Sequence, residues 1–328
     1  MRIFSILKKG FLKNRNFNVN LFIISSPLQL INIQELIFVK KWENNFIIAL
    51  YISENEKAHI KKTSETLGIN NIKFIHRKRI LAYFSIIKIG FKFRRVKNFT
   101  LGHLIDNHHL LLNNIIKKKN SFLVDDGMAT TSSFEFYSKN IYPKQLRKFL
   151  KYPKNLHFFS VHNLGSVTEK IIVNKYINLK RYYSLKKSSD FVYFIGARIY
   201  NDIGEKEHIR ILKEVSKQNP NIIYFPHRKE TPSFLRKLKK SGIKISENNL
   251  AFELMVINSD VLPKKILGFV SSTYNNLIII NKLLFSKKLN LFFISLIDYP
   301  FRTKKQKDFY KSHYTHLINL GINEYKIN

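Results

Sequence analysis

Short apolar runs of strand length alternate with longer stretches of helical period along most of this chain, and few folds accommodate that alternation. It is the pattern of βαβ units, in which strands run parallel and a helix carries the chain back between them. Residues 19–24, 46–52, 72–76, 98–101 and 121–124 read as strands, with helices such as 28–41, 54–67 and 108–119 between them. A second series begins with the strand 191–195, which ends at Gly196. It continues with helices at 205–217, 232–240, 250–259 and 274–284, and strands at 222–225, 243–245, 266–270 and 289–294.

With 328 residues the chain exceeds the roughly 250 to 300 at which a single core stops growing, so two domains are expected. The divisions read as a basic N-terminal segment over 1–18, a Rossmann-like domain over 19–175, a linker over 176–190 and a second Rossmann-like domain over 191–328. A content of 45% hydrophobic and 14% aromatic residues supports substantial cores and excludes a disordered chain.

The chain contains no cysteine, which removes disulfides, thiolate metal sites and cysteine nucleophiles together. No apolar stretch approaches the roughly 18 residues of a membrane span, and residues 3–7 are too short for a signal-peptide core of about 7 to 15. The expected location is the cytoplasm, peripheral on the inner face of the cell membrane. A net charge of +35 attracts polyanions, but it is spread along the chain without a zinc-finger spacing, an RNA-binding aromatic signature or a dense arginine tract. No specific nucleic-acid partner is expected. An anionic membrane surface suits the charge better.

Three polar segments directly follow strand-like runs: Asp125-Asp126-Gly127, Pro226-His227-Arg228 and Ser271-Ser272-Thr273. In open α/β sheets ligands bind outside the carboxyl ends of strands, so an acid, an imidazole and hydroxyls delivered there can meet around one ligand. The Ser-Ser-Thr segment opens a helix whose free amides can bind phosphate, although an isolated one is most often a plain N-cap. An imidazole beside Arg228 and Lys229 has its charged form disfavoured until an anion binds. Along an extended strand successive side chains face opposite ways, so one of Asp125 and Asp126 points at a substrate. Asp126, nearer the Gly127 turn, is the favoured general base, with Asp125 its orienting neighbour or the alternative base. His108 and His109 are expected at the surface or beside the acceptor.

In order, these segments resemble the acidic-acidic-Gly, His-Pro and Ser-Ser/Thr motifs of bacterial sialyltransferases. Residues 23–30, Ile-Ile-Ser-Ser-Pro-Leu-Gln-Leu, are similar to the first strand and loop of glycosyltransferase family 52 and of the bacterial polysialyltransferases. Phe252-Glu253-Leu254 and the stretch from Leu262 to Ser272 resemble the part of those families that runs from a ribose-binding glutamate to phosphate-binding serines. Glu253 lies 26 residues after His227 and 18 before Ser271, in keeping with that order. One departure is that His-Pro becomes His227-Arg228, with the proline displaced to Pro226.

The resemblance implies a GT-B architecture, with two Rossmann-like domains facing across a cleft and a C-terminal helix within 304–320 that crosses back to the first domain. It implies inverting, metal-independent transfer of sialic acid from CMP-sialic acid to a sugar hydroxyl of a bacterial surface glycan, lipooligosaccharide or capsule: no cofactor is required, and the sequence has no Asp-x-Asp pair. Asp126 or Asp125 then takes the acceptor proton, and His227 neutralises the departing phosphate. Glu253, Ser271, Ser272, Thr273, Gly196 and Arg228 hold the donor nucleotide, while Ser26, Pro27, Gln29 and Gly127 face the substrate. The partners are a nucleotide-sugar donor and a glycan acceptor on a lipid carrier, and a homodimer is left open. Two other readings stay open: a GT-B enzyme with a different nucleotide-sugar donor, and a non-catalytic polyanion-binding protein.

Overall fold

The computed structural model describes residues 18–78, 80–141, 150–162, 164–165, 170–183, 187–284 and 289–327. The basic segment 1–18 lies outside them except for its last residue. The chain divides into two compact units, one of residues 1–52 and 64–175, the other of residues 53–63 and 176–328.

In the first unit, strands β1 (Asn20–Ile24), β2 (Asn45–Tyr51), β3 (Ile72–His76), β4 (Arg95–Leu101), β5 (Lys117–Val124), β6 (Leu156–Ser160) and β7 (Ile171–Val173) form one sheet. Its order is β3-β2-β1-β4-β5-β6-β7, and every neighbouring pair is parallel. All five residues of β1 are buried, as expected of a central strand covered on both faces. Helices α1 (Pro27–Lys40), α2 (Glu54–Thr66), α3 (Leu81–Lys92), α4 (Asn107–Ile115) and α5 (Met128–Ser138) follow β1 to β5 in turn, and α2 up to residue 63 belongs to the second unit. One core of this unit gathers Leu21, Ile48, Phe99, Leu123 and Phe158 from the strands with Ile86 and Leu112 from the helices.

Two details of this unit differ from the sequence reading. The helix expected over 108–119 ends at Ile115, because Ile116 is extended and residues 117–119 already belong to β5. The side chain of Asn114 bonds the Leu110 carbonyl, and the Lys118 ammonium bonds the Asn113 carbonyl, so the last turn is closed by polar groups rather than continued. Strands β6 and β7, which the reading passed over, extend the sheet beyond β5.

The second unit carries β9 (Val192–Ile195), β10 (Ile222–Phe225), β12 (Lys265–Gly268), β13 (Leu291–Phe293) and β14 (Asn323–Glu324), all parallel in the order β10-β9-β12-β13-β14. A small parallel pair joins β8 (Lys187–Ser188) and β11 (Val261–Leu262). The helices are α6 (Tyr200–Ile203), α7 (Glu205–Gln218), α8 (Pro232–Lys240), α9 (Phe252–Asn258), α10 (Thr273–Leu284) and α11 (Lys304–Asn319). The expected strand over 243–245 is reduced to a single bridge, Ile245 to Tyr224.

The C-terminal helix α11 packs within the second unit. Its Tyr310, Tyr314 and Leu317 enter the second unit's own core, the Tyr314 hydroxyl accepts from Leu296 N–H, and Tyr310 donates to Asp202 at 2.8 Å. Thr303 and Gln306 form a reciprocal capping box at its start, which fixes where the helix begins.

His208 on α7 is fully buried among the rings of Tyr200, Phe234 and Phe269, and among the described residues neither ring nitrogen has a hydrogen-bond partner. Burial pushes its pKa down to about 3. The unfolded chain therefore binds this proton more readily than the folded one between about pH 3 and pH 6.5. The stability His208 permits is complete above that window and is lost as the pH falls through it. At about 1.4 kcal/mol per pH unit, His208→Leu should reduce the stability lost between pH 7 and pH 5 by about 2 kcal/mol, measured by urea titration at the two pH values.

Candidate functional site

A Rossmann-like sheet binds ligands where the strand order reverses direction. In the second unit the reversal lies between β9 and β12, and the residues that leave those strands are Gly196 and Phe269 to Ser272. A cavity of about 380 Å³ opens there, lined by Gly196, Ala197, Arg198, Ile199, Asn201, Asp202, His227, Val270, Ser271, Ser272, Phe309 and Tyr310. Four residues singled out in the sequence, Gly196, His227, Ser271 and Ser272, thus come together. A larger cavity of about 490 Å³, lined by Tyr193, Phe225, Met255 and Ser259 among others, contains none of the predicted residues.

Gly196 is required by close approach. A Cβ built there would lie 2.7 Å from the Phe225 carbonyl oxygen and 2.8 Å from the His227 nitrogen, both backbone atoms unable to swing aside. The loop after β10 can lie against the loop after β9 only because this side chain is missing.

Glu230 holds the His227 loop from beneath. It is buried, accepts from the His227 N–H at 2.9 Å and from the Tyr224 hydroxyl at 2.5 Å, and burial pushes its pKa up to about 8. The His227 Nδ1 accepts from the Lys229 N–H at 3.2 Å, so in the neutral ring the proton sits on Nε2, which is left to act as a donor. Burial first, then the charges of Arg228, Lys229 and Arg198, lowers the His227 pKa to about 3. The imidazole is neutral at pH 7 in the free protein, and an anion beside it would favour its charged form.

Ser271 accepts from the Thr273 N–H at 3.2 Å at the start of α10, an ordinary capping turn that leaves Ser271 and Ser272 on the cavity wall. Strand β12 stops at Gly268, two residues earlier than the reading placed its end. Glu253 is buried on the first turn of α9 and accepts from Asn276 of α10 at 2.8 Å, with its pKa raised by burial. It braces the two helices that flank the Ser-Ser-Thr turn. It does not line the cavity, and neither does Arg228, whose carbonyl accepts from Asn55 at 2.9 Å.

In the first unit the reversal lies between β1 and β4, beside β5. Ser26 caps α1, with Pro27 at its first position, and accepts from the Gln29 N–H at 3.2 Å while donating to Asp126 Oδ1 at 3.1 Å. The Gln29 side chain accepts from the Ser25 N–H at 2.6 Å and lies over Gly102, where a Cβ would come within 2.2 Å of it. Asp125 and Asp126 have separate fates. Asp125 is buried, accepts from the Ser160 hydroxyl at 2.7 Å and the Val161 N–H at 2.6 Å, and burial raises its pKa. Asp126 is half-buried, and its own N–H donates to Thr130 at 2.8 Å. Gly127, at φ 64° and ψ −136°, turns the chain into α5 through a conformation that side chains avoid.

His108 and His109 are not at the surface. Asp106 caps α4 by accepting from both of their N–H groups and pairs with Arg77. His109 is fully buried: its Nδ1 accepts from the His103 N–H at 3.2 Å, so Nε2–H donates to the Ser25 hydroxyl at 3.0 Å. Burial lowers its pKa to about 3, which keeps it neutral in this role. The sequence reading set His109 at the surface or beside the acceptor, gave Glu230 no role, and missed Arg198 and the Asp202–Tyr310 pair. Arg198 alone carried a local signal, lying two residues past Gly196 at a strand end.

No family model matches the chain, and no curated protein sequence does. Solved structures do. A putative UDP-N-acetylglucosamine 2-epimerase from Listeria monocytogenes is similar with a TM-score of 0.54 and 10% identity, over 87% of this chain and 80% of that one. A 2,6-sialyltransferase from Photobacterium sp. JT-ISH-224, solved with CMP and lactose, is similar with a TM-score of 0.53 and 13% identity, over 92% and 76%. The MnaA–UDP structure from S. aureus gives 0.50 and 12%, over 92% and 88%. At such identities the likeness establishes the fold: α/β, GT-B-like, with two Rossmann-like domains.

Removing the Glu230 side chain should leave buried partners unsatisfied, so Glu230→Ala is expected to cost about 1–3 kcal/mol in a denaturant titration. Glu230→Gln, an isostere of the protonated acid, should cost less than half as much. Gly196→Ala should destabilise by about 1–3 kcal/mol through overlap with two backbone atoms.

Proposed function

We propose that the protein is a glycosyltransferase, and more narrowly an inverting, metal-independent sialyltransferase that uses CMP-sialic acid. The observation that carries this reading is the convergence of Gly196, His227, Ser271 and Ser272 on one cavity at the carboxyl edge of the second sheet. The order and spacing of the motifs, and the fold shared with a sialyltransferase, support it.

In this reaction the acceptor hydroxyl passes its proton to the Asp126 carboxylate as its oxygen bonds to the anomeric carbon. The bond from that carbon to the phosphate oxygen breaks, and its electron pair leaves with cytidine monophosphate. The anomeric carbon is a ketal centre beside a carboxylate, so bond breaking runs ahead of attack. His227 Nε2–H and the Ser271 and Ser272 hydroxyls donate where negative charge grows on the phosphate, and such preorganised donors act most strongly at that point. Asp125, committed to Ser160 and Val161, serves as the brace that fixes Asp126 in place. Glu253, to which the family resemblance gives the ribose hydroxyls, stands behind the cavity wall and braces the Ser-Ser-Thr turn through Asn276. Thr273 and Arg228 support the nucleotide side from outside that wall, and Arg198 adds a cation on it. Ser26, Pro27, Gln29 and Gly127 shape the acceptor side. The acceptor is a sugar of a bacterial lipooligosaccharide or capsule on a lipid carrier, and the enzyme works peripherally on an anionic membrane surface. Among the described residues no helix is long and apolar enough to cross a membrane.

Uridine nucleotides are the competing ligand, because two proteins of similar fold are described with UDP or a UDP-sugar. Isothermal titration should give binding of cytidine monophosphate and none of uridine diphosphate; the reverse result would assign a different donor. Asp126→Asn should lower transfer by at least about 100-fold with nucleotide affinity unchanged, in line with the usual contribution of a general base. Binding should also be proton-linked. His227 is unprotonated in the free protein at pH 6, and the phosphate raises its pKa, so cytidine monophosphate binding should take up protons there. Titrations at pH 6 in buffers of different ionisation enthalpy measure that uptake, and His227→Gln should remove it.

A further inference from the structure

Helix α3 presents an apolar face on each side. Ala82, Ile86, Ile89 and Gly90 are buried, and a Cβ on Gly90 would meet Ile115 of α4 at 2.6 Å, so the inner face is already seated. On the outer face Leu81 is 62% exposed, Phe84 63% and Phe91 64%, with Ile80 at 75% just before the helix. The 3.6-residue period sets positions 81, 84, 88 and 91 along one stripe, and Lys88 and Lys92, also exposed, share it. A helix apolar all round belongs inside a protein, and large exposed apolar clusters mark interaction surfaces.

The charge around this stripe selects the partner. From residue 66 to residue 105 the chain has nine lysines and arginines and no aspartate or glutamate. Lys78, Lys88, Lys92, Arg94, Arg95 and Lys97 are all exposed. A second copy of this surface would bring like charges together. Nucleic acid would answer the cations but not the aliphatic Ile80 and Leu81. A bilayer interface answers both, since it offers phosphates at the headgroups and hydrocarbon about 5–10 Å below them.

We propose that the outer face of α3 is the element that docks this protein on an anionic lipid bilayer, with Phe84, Phe91, Leu81 and Ile80 inserted and the surrounding cations on the headgroups. This deepens the membrane-surface part of the proposed function and rests on it only for why docking is useful; the patch itself is independent of the donor chemistry.

The test is sedimentation of the full chain with vesicles of phosphatidylcholine, pure or containing about a third phosphatidylglycerol. The parent should bind the anionic vesicles and bind the neutral ones weakly. Phe84→Ser/Phe91→Ser should lower the partition coefficient by about tenfold or more. Lys88→Glu/Arg94→Glu should abolish the preference for phosphatidylglycerol. Circular dichroism and nucleotide titration on the same samples verify folding and keep the donor reading separate: lost vesicle binding with intact nucleotide binding supports the docking face. Vesicle binding unchanged in the serine variant, or absent in the parent, overturns the proposal. So does a change of the parent's solution mass in the serine variant, which makes the face a subunit contact, or a loss of oligonucleotide binding in that variant, which makes it a nucleic-acid surface.

Discussion

Parallel pairing is the constraint from which most of this structure follows. Consecutive parallel strands cannot be joined by a tight turn, so each must be followed by a crossover, and helices that cover both faces turn the strands into near-continuous apolar runs. Among the described residues both main sheets obey this without an antiparallel pair. The consequence is directional. Every strand of a sheet releases its polar loop at the same edge, so Gly196, His227 and Ser271 gather although up to 75 residues separate them in sequence.

What the topology gathers, buried polar groups then fix. Three carboxyl groups are placed behind their loops: Asp125 ties β5 to the end of β6, Glu230 ties the His227 loop to Tyr224, and Glu253 ties α9 to α10. In each the pKa is raised by burial, and each makes hydrogen bonds that offset its desolvation. Histidines act the same way. His109 spans the loops after β1 and β4 as a neutral ring, donating to Ser25 and accepting from His103. A loop held by such groups loses less entropy on binding a ligand than a mobile one, and preorganisation of donors is what catalysis of charge development needs.

The sequence was legible where a signal is local. Alternation marked β1, β2, β3, β9 and β10 closely, because buried parallel strands are short, apolar and bounded by polar turns. The polar segments at strand ends were visible for the same reason. It was not legible where a contact from far along the chain decides the outcome. Residues 117–119 continue the helical period of α4 on paper, but pairing with β4 and the bond from Lys118 to Asn113 make them strand. Asp125 and Asp126 look alike in sequence, and only Ser160 and Val161, some 35 residues on, separate their roles. His109 and Glu230 give no local signal of their roles, because each bonds one backbone N–H and one hydroxyl that only the folded loops bring to it. Strand β7, with only three residues, is defined by its neighbour β6 rather than by its own composition.

The charge of this chain does two things that composition alone cannot distinguish. Around His227, burial first and then the charges of Arg228, Lys229 and Arg198 hold an imidazole neutral, and a potential of that sign favours an anion beside the ring. Around α3 the exposed cations surround exposed apolar side chains on an open helix face. A potential in a cavity and a potential on an open helix face select different anions: the first favours a compact phosphate that can be enclosed, the second a broad surface that many weak contacts share. A net +35 distributed in this way therefore does not argue for one polyanion. It fits a protein that takes a small charged donor at one edge of a sheet and meets an extended anionic surface on a separate helix.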